Sequence, residues 1–246
     1  MKRNKSGTTN NDLQHLLARS TLYKILALGY RYPSDQLFKI VKSNEFLMKL
    51  EEAAAELALD PTKIENFVRA LSAIGGSEKL ESEYVRLFAP SDELNCSLYG
   101  TEYVQSHIFN QVQELADIMG FYRAFGLNLC IDDRERPDHV GTELEFMHIL
   151  ALKEAHARAS GLNEQALICK DAQKKFLESH IAGWIPAFCK LVRTLTNNGF
   201  YTSLVSITVG FHEQEARELG VRVGKSSHKL PIVTQPEDFS CPLDKS

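Results

Sequence analysis

The chain has 246 residues, a formal net charge of −4, and apolar and charged fractions of 43% and 24%, as expected of an ordinary soluble globular protein. This length fits one large domain, and the negative charge gives no general attraction to phosphates, so we expect no nucleic-acid partner. No stretch approaches the roughly 18 apolar residues of a membrane span, and no signal-peptide core follows the basic start, so we expect a cytoplasmic protein without a membrane span.

Apolar residues recur at helical spacing along most of the chain, and Pro and Gly separate the segments. The predicted helices cover about 13–32, 35–42, 45–59, 61–74, 77–88, 107–125, 136–160, 164–180, 186–197 and 200–219. The β-branched middle of the last segment, 204–209, could form a strand, but no partner strand is evident elsewhere. We therefore predict an all-α fold, a single domain of about ten helices over 13–220. A disordered start, 1–12, and an extended or disordered tail, 221–246, flank it.

Two segments interrupt this helical pattern. Residues 89–106 lack a clean period and hold Leu98, Tyr99 and Tyr103 in polar company, which predicts a long loop of the kind that often carries function. Residues 127–136 link two long helices, and we expect a hinge there if the domain divides into two lobes. Five cysteines without a Cys-x-x-Cys pair predict reduced thiols.

The stretch 132–157 begins with an acidic segment and continues into residues that strongly favour a helix. Pro137 suits the first turn of a helix, so we expect that helix to begin between Arg136 and Asp138. An apolar stripe follows at spacings of four and three, comprising Val140, Leu144, Met147 and Ala151. His139 and Glu143 share a neighbouring face. This pattern predicts a polar site on the rim of an apolar groove.

The chain carries three short motifs. They are the Pro-Asp-His, Glu-Leu and Phe-Met elements at 137–139, 143–144 and 146–147, the Tyr-x-x-Leu-Phe segment at 84–88, and the Ser-x-Tyr element at 97–99. Together these motifs resemble the TorD/DmsD/NarJ family of redox-enzyme maturation chaperones. The resemblance covers roughly 15–220 and implies a TorD-like, all-helical cytoplasmic chaperone. Its implied partners are the twin-arginine signal peptide and the apo form of a molybdopterin oxidoreductase of the dimethyl-sulfoxide-reductase type. The chaperone would assist cofactor insertion and assembly before export, as a monomer or a domain-swapped dimer.

The resemblance also implies a peptide-binding site at the Asp-His element, and the residue types fit that role. A twin-arginine peptide presents two guanidiniums and then an apolar segment, so its receptor needs carboxylates beside a hydrophobic groove. The predicted peptide-binding residues are Asp132, Asp133, Glu135, Pro137, Asp138, His139, Glu143, Leu98, Tyr99 and Tyr103. Because Asp138 and His139 lie off the apolar stripe, we expect their substitution to leave folding close to intact.

Three alternatives remain open on the residues alone. A metal-binding protein or enzyme could use His139, Glu143, Glu145 and His148, since Glu-x-x-His occurs in di-iron helical bundles. Such bundles need the motif twice, and it occurs once in this sequence. The sequence also lacks a nucleophile elbow and a phosphate loop, so we predict no catalysis, metal or cofactor. The second alternative is a plain helical interaction module. In the third, Asp138 only stabilises a helix start, His139 is a satisfied polar residue and Glu143 is solvated.

Overall fold

The computed structural model describes residues 10–89, 96–103, 108–128 and 135–222. Within those ranges the chain forms ten α-helices, with a 3-10 turn at Gly100–Glu102 and a π-helical turn at Leu177–Ile181. The helices are α1 (Asn10–Gly29), α2 (Asp35–Val41), α3 (Asn44–Glu56), α4 (Pro61–Ala73), α5 (Ser77–Phe88), α6 (Ile108–Ala124), α7 (Val140–Ala159), α8 (Asn163–Phe176), α9 (Ile185–Leu195) and α10 (Gly199–Leu219). The all-α prediction is confirmed.

Short polar side chains begin several of these helices, which explains why their limits could be predicted. Ser34 accepts a hydrogen bond from the Leu37 amide at the start of α2, and Asp60 accepts one from Thr62 at the start of α4. Asn198 does the same for α10. The segment 204–209 is therefore helical, and the described residues contain only one isolated β-bridge and no strand.

Three predicted boundaries were wrong. The helix α1 already begins at Asn10, so residues 10–12 belong to it rather than to a disordered start. The segment 164–180 is not one regular helix, because α8 gives way to the π-helical turn at Leu177. The helix α7 begins at Val140, with His139 as its N-cap, and not at 136–138. Pro137 and Asp138 instead form a turn that binds the loop at 98–101.

Helices from both ends of the chain pack into one core. The helix α1 lies along α7, which in turn packs on α8, while α4 packs against α10. These helices share one continuous cluster of buried apolar side chains, which includes Leu22, Phe67, Leu150 and Phe188. The predicted hinge, 127–136, falls largely on residues 129–134, which lie outside the described residues, as does the predicted tail from 223 onward.

The sequence also predicts that the chain has no membrane span and that its thiols are reduced. Among the described residues, no helix combines the length and the apolar content needed to cross a membrane. Cys96, Cys169 and Cys189 are buried free thiols, whereas Cys130 and Cys241 lie outside the described part.

Candidate functional site

The start of α7 is held against the loop at 96–103 by backbone hydrogen bonds. The Val140 amide donates to the Leu98 carbonyl at 2.8 Å, and the Gly100 amide donates to the Asp138 carbonyl at 2.9 Å. These bonds set Tyr99 opposite His139 in a short antiparallel bridge. Two segments about forty positions apart in the chain thus form one surface, to which each contributes polar side chains.

Asp138 is the centre of this junction. Its carboxylate accepts hydrogen bonds from the Thr101 amide at 3.1 Å and from the Thr101 hydroxyl at 2.8 Å. The guanidinium of Arg136 adds two more, from Nε at 3.0 Å to one oxygen and from Nη2 at 2.8 Å to the other. The side chain is 0% exposed. The expectation that Asp138 lies on the rim of a groove is therefore wrong. Helical periodicity could not reveal this, because the partners of Asp138 come from a loop distant in the sequence.

Arg136, which the sequence did not single out, completes the junction from the solvent side. Its Nη1 donates to Glu102 at 3.0 Å, and its Nη2 donates to the Thr101 hydroxyl at 2.6 Å. The guanidinium carbon also lies 4.5 Å from the centre of the Tyr99 ring, within the range of a cation–π interaction. Two carboxylates, a hydroxyl and an aromatic face thus surround one guanidinium. We call this set, Tyr99, Thr101, Glu102 and Asp138, the guanidinium cradle.

Tyr99 and Glu135 cover His139 from outside. The Tyr99 hydroxyl donates to Glu135 at 2.9 Å, and the ring meets the His139 ring edge-to-face with 5.5 Å between centroids. Burial, and next the hydrogen bond to Glu135, raise the pKa of Tyr99 to about 12. The phenol is therefore a hydrogen-bond donor at neutral pH, and Tyr99 and Glu135 are the accessible members of the predicted peptide site.

His139 caps α7 and is 1% exposed, so it is also not a rim residue. Its Nδ1 accepts a hydrogen bond from the Gly141 amide at 3.0 Å, which places the proton of the neutral ring on Nε2. That Nε2 has no hydrogen-bond partner, and it lies 3.9 Å from Glu135. Burial lowers the pKa of His139 to about 4, so the ring is neutral at physiological pH.

Glu143 lies one turn further along α7 and is buried rather than solvated. Its carboxylate accepts a 3.3 Å hydrogen bond from the indole N–H of Trp184. Burial, and next the charge of Asp138, raise the pKa of Glu143 well above its usual value. Trp184 also lies so close to Gly100 that a Cβ there would sit 2.7 Å from the indole nitrogen, which explains why a glycine occupies this turn.

The remaining predicted site residues divide into three groups. Leu98 and Tyr103 belong to the core, and Tyr103 stacks on Trp184 with 5.4 Å between ring centroids. Pro137 is half-buried, and its carbonyl accepts a hydrogen bond from Tyr122 at 2.7 Å. Asp132 and Asp133 lie outside the described residues.

The alternative metal ligands have structural partners. Glu145 pairs with Arg31 at 2.6 Å, and the His148 Nδ1 lies 2.7 Å from the Ser20 hydroxyl. Both side chains therefore join α7 to α1 or to the turn that follows it. Within the described residues, no group of three or more His, Cys, Asp or Glu side chains is placed to hold a metal ion.

A second surface feature lies between α3 and α4. It is a groove of about 560 Å³ with a mostly apolar lining that also includes three charged residues. It is lined by Glu51, Ala54, Ala55, Leu59, Pro61, Ile64, Glu65, Val68 and Arg69. The sequence analysis did not identify it, because its two walls are separate helices that each look like an ordinary amphipathic segment.

Comparison with known proteins identifies relatives along most of the chain. Residues 49–190 match the family described as nitrate reductase delta subunit, a range that includes the whole junction at 96–103 and 135–143. A perchlorate reductase assembly chaperone protein from Dechloromonas aromatica is 27% identical, over 82% of this chain and 90% of its own length. A chaperone protein TorD from Vibrio cholerae is 24% identical, over 80% and 90% of the two chains.

Among solved structures, a redox enzyme maturation protein from Archaeoglobus fulgidus aligns with a TM-score of 0.49 and 19% identity, covering 79% of this chain and 91% of that one. The Dechloromonas aromatica and Vibrio cholerae relatives are both named as chaperones, and the Dechloromonas aromatica protein is named as an assembly chaperone.

Proposed function

We propose that this chain binds the twin-arginine signal peptide of its client. The chain belongs to the TorD-type family of redox-enzyme maturation chaperones, whose family model is described as nitrate reductase delta subunit. The client is a molybdenum-containing oxidoreductase of the dimethyl-sulfoxide-reductase type. The chaperone acts in the cytoplasm, holding the apoenzyme until its cofactor is inserted. The names of the relatives support the assembly role, since one of them is a perchlorate reductase assembly chaperone.

The guanidinium cradle is the observation that supports binding of an arginine-bearing peptide. Carboxylates bind guanidinium through paired N–H donors, and an aromatic face adds a cation–π contact. The cradle offers both at a half-exposed surface, where Glu102 is 37% exposed. Glu135 lies beside the cradle, accepts the Tyr99 hydroxyl and is 36% exposed, so it adds a carboxylate to the same surface. Asp138 and His139 then act mainly by holding this surface in shape. Asp132 and Asp133 remain proposed contacts on the basis of their charge alone.

Isothermal titration with a synthetic leader peptide of a candidate reductase tests this proposal. A bound peptide would cover Glu135 and Tyr99 and exclude water from their contacts with its arginine. Because a desolvated arginine contact costs about 2–5 kcal/mol to truncate, Glu135→Gln and Tyr99→Ala should each weaken binding by roughly tenfold or more. The same peptide with both arginines replaced by lysines should also bind more weakly, since lysine cannot bind a carboxylate through paired donors. Circular dichroism should show both variants folded, because both side chains lie at the surface.

Glu45→Gln is the matched control, because Glu45 is an exposed acid in a salt bridge at 2.5 Å with Lys49, on α3. This variant should bind the peptide as the parent does. A Val68→Asp variant probes the groove between α3 and α4. If Val68→Asp abolishes binding while the Glu135 and Tyr99 variants bind normally, the peptide lies in that groove and the cradle is not the site. If no leader peptide binds the parent, the signal-peptide role fails altogether.

A further inference from the structure

The guanidinium cradle already contains a guanidinium, that of Arg136. We propose that Arg136 is an internal occupant of an arginine-binding site. When the Arg136 side chain rotates outward into solvent, an arginine side chain of the client's leader binds in its place. This inference rests on the proposed function for the identity of its ligand. It adds an intramolecular competitor to that function, and it can be tested with a simple guanidinium salt as well as with a peptide.

The contacts of Arg136 are those expected of a bound ligand. Nε and Nη2 donate to the two oxygens of Asp138 at 3.0 and 2.8 Å, which is the paired geometry that distinguishes guanidinium from ammonium. Nη1 reaches Glu102 at 3.0 Å, and the ring of Tyr99 lies 4.5 Å from the guanidinium carbon. Each of these groups binds the guanidinium itself, so another arginine could satisfy all of them.

The position of Arg136 allows it to leave. Its side chain is 39% exposed, whereas the Asp138 carboxylate beneath it is fully buried. The carboxylate is also held by the Thr101 amide and hydroxyl, which would keep it in place when the guanidinium changes. The cradle therefore has a fixed floor, provided by Asp138 and Thr101, and an occupant that reaches solvent.

A second observation indicates that the junction is built to receive a further group. The Nε2 of His139 is buried without a hydrogen-bond partner, and its neutral ring carries a proton there because Nδ1 accepts from Gly141. Tyr99, which stacks on Arg136, also covers His139. If Tyr99 moves when Arg136 leaves, the His139 N–H becomes available to a carbonyl oxygen of the incoming peptide. The ligand class is therefore an arginine within a peptide.

An internal occupant lowers the apparent affinity for any external one, because only the fraction of molecules with an open cradle can bind. Removing the Arg136 side chain should therefore strengthen binding of the leader peptide. For Arg136→Gln we expect the dissociation constant to fall by roughly tenfold, which corresponds to a cradle open about one-tenth of the time in the parent. Arg136→Lys, which keeps the positive charge but not the paired geometry, should show a smaller fall.

The matched control is Arg158→Gln. Arg158 also donates from Nε and Nη2 to a buried carboxylate, that of Glu154, at 2.9 and 2.7 Å, and its side chain is 29% exposed. It lies near the other end of α7, so its loss should leave peptide affinity unchanged. If Arg136→Gln binds the peptide no better than the parent, or if Arg158→Gln strengthens binding equally, the inference is wrong. If the Gln variant does not fold, Arg136→Lys provides the same comparison.

A probe independent of the client is ethylguanidinium chloride at millimolar concentration. Arg136→Ala should be stabilised against heat by ethylguanidinium but not by ethylammonium, while the parent should respond to neither. Equal responses to the two cations, or an equal response of parent and variant, would show that the cradle does not select guanidinium. This result stands even if no leader peptide binds the parent, so failure of the proposed function and failure of this inference can be told apart.

Discussion

Two arginine–carboxylate pairs in this molecule share their chemistry and differ in their surroundings. Arg19 donates to both oxygens of Glu215 at 2.6 Å, and the two side chains are 1% and 0% exposed. Arg136 donates to both oxygens of Asp138 at the start of α7, but its side chain is 39% exposed. One pair lies wholly inside the bundle, whereas the other has one member at the surface.

The inner pair is part of a larger polar network. Arg19 also donates to Gln173 at 3.0 Å, and Gln173 donates to Glu154 at 2.7 Å, while Tyr23 donates to Glu215 at 2.8 Å. The network joins α1, α7, α8 and α10, so each of these groups has partners on other helices. Buried charges are tolerated only when they are paired and hydrogen-bonded in this way.

The difference indicates which pair is structural and which can exchange its partner. Arg19 is 1% exposed and donates to side chains of α8 and α10, so its network fixes how α1 packs on those helices. Arg136 can move to solvent without displacing a helix, and its junction contains the unpartnered Nε2 of His139. The same pairing thus stabilises the fold in one place and forms a candidate binding site in the other.

The largest effect should follow from breaking the inner pair. Arg19→Met leaves Glu215 as an uncompensated buried charge, which typically costs about 3–5 kcal/mol of unfolding free energy. Urea denaturation at pH 7 measures this loss. Arg19→Met combined with Glu215→Leu should recover part of it, because no buried charge then remains. A loss of less than about 1 kcal/mol for the single variant would contradict a structural role for the network.

The junction around Asp138 and His139 should make the stability of the protein depend on pH. The pKa of His139 is about 4 in the folded protein and about 6.5 when unfolded, so the unfolded state binds more protons between these values. The contribution of His139 to stability is therefore complete above pH 6.5 and is lost as the pH falls toward 4, by about 3 kcal/mol at most.

Comparison of the parent with His139→Asn, which can still cap α7, isolates this term. The variant should lose less stability than the parent between pH 7 and pH 4.5. His212 on α10, whose pKa burial also lowers to about 4, should give the same dependence, so His212→Asn is the parallel control. If the parent and His139→Asn have the same pH profile, the ring is not held neutral by the fold.

Glu143 should act in the opposite direction. Its folded-state pKa is raised, so the folded protein binds the additional proton, and stability is lost as the pH rises through that value. Glu143→Gln keeps an acceptor for the Trp184 indole and removes the ionisation. We expect this variant to gain stability relative to the parent as the pH rises from 6 to 9, as measured by thermal unfolding across that range. A constant difference between the two proteins would show that Glu143 does not titrate there.

The helices could be predicted because their signals are local. The caps at Ser34 and Asp60 lie two or three residues from the amides they accept from, and Gly126, with a φ of +77°, follows α6 in the left-handed conformation that glycine adopts after a helix. Such contacts depend on neighbours that are adjacent in the sequence. The start of α7 was misplaced because Asp138 there binds a distant loop.

The polar partners could not be predicted because they are far apart in the sequence. Asp138 and Thr101 are separated by 37 positions, Glu143 and Trp184 by 41, and Arg19 and Glu215 by 196. Helical periodicity reports apolar faces, so it assigned polar residues to the surface. Neither Arg19 nor Arg136 carries a local sign of its carboxylate partner. A buried polar residue becomes recognisable only when its partner is brought beside it.

The smallest expected effect sharpens the comparison at the outer pair itself. Arg136 contacts two carboxylates, but the one on Glu102 is 37% exposed and the one on Asp138 is fully buried. An exposed ion pair contributes only about 0–1 kcal/mol, because water screens the charges and two long side chains are ordered. Glu102→Gln should therefore lower the unfolding free energy by less than about 1 kcal/mol, and a double-mutant cycle with Arg136→Gln should return a coupling of that size. A coupling above about 2 kcal/mol would mean that both carboxylates hold Arg136 firmly, and an arginine so held would exchange poorly with an external one.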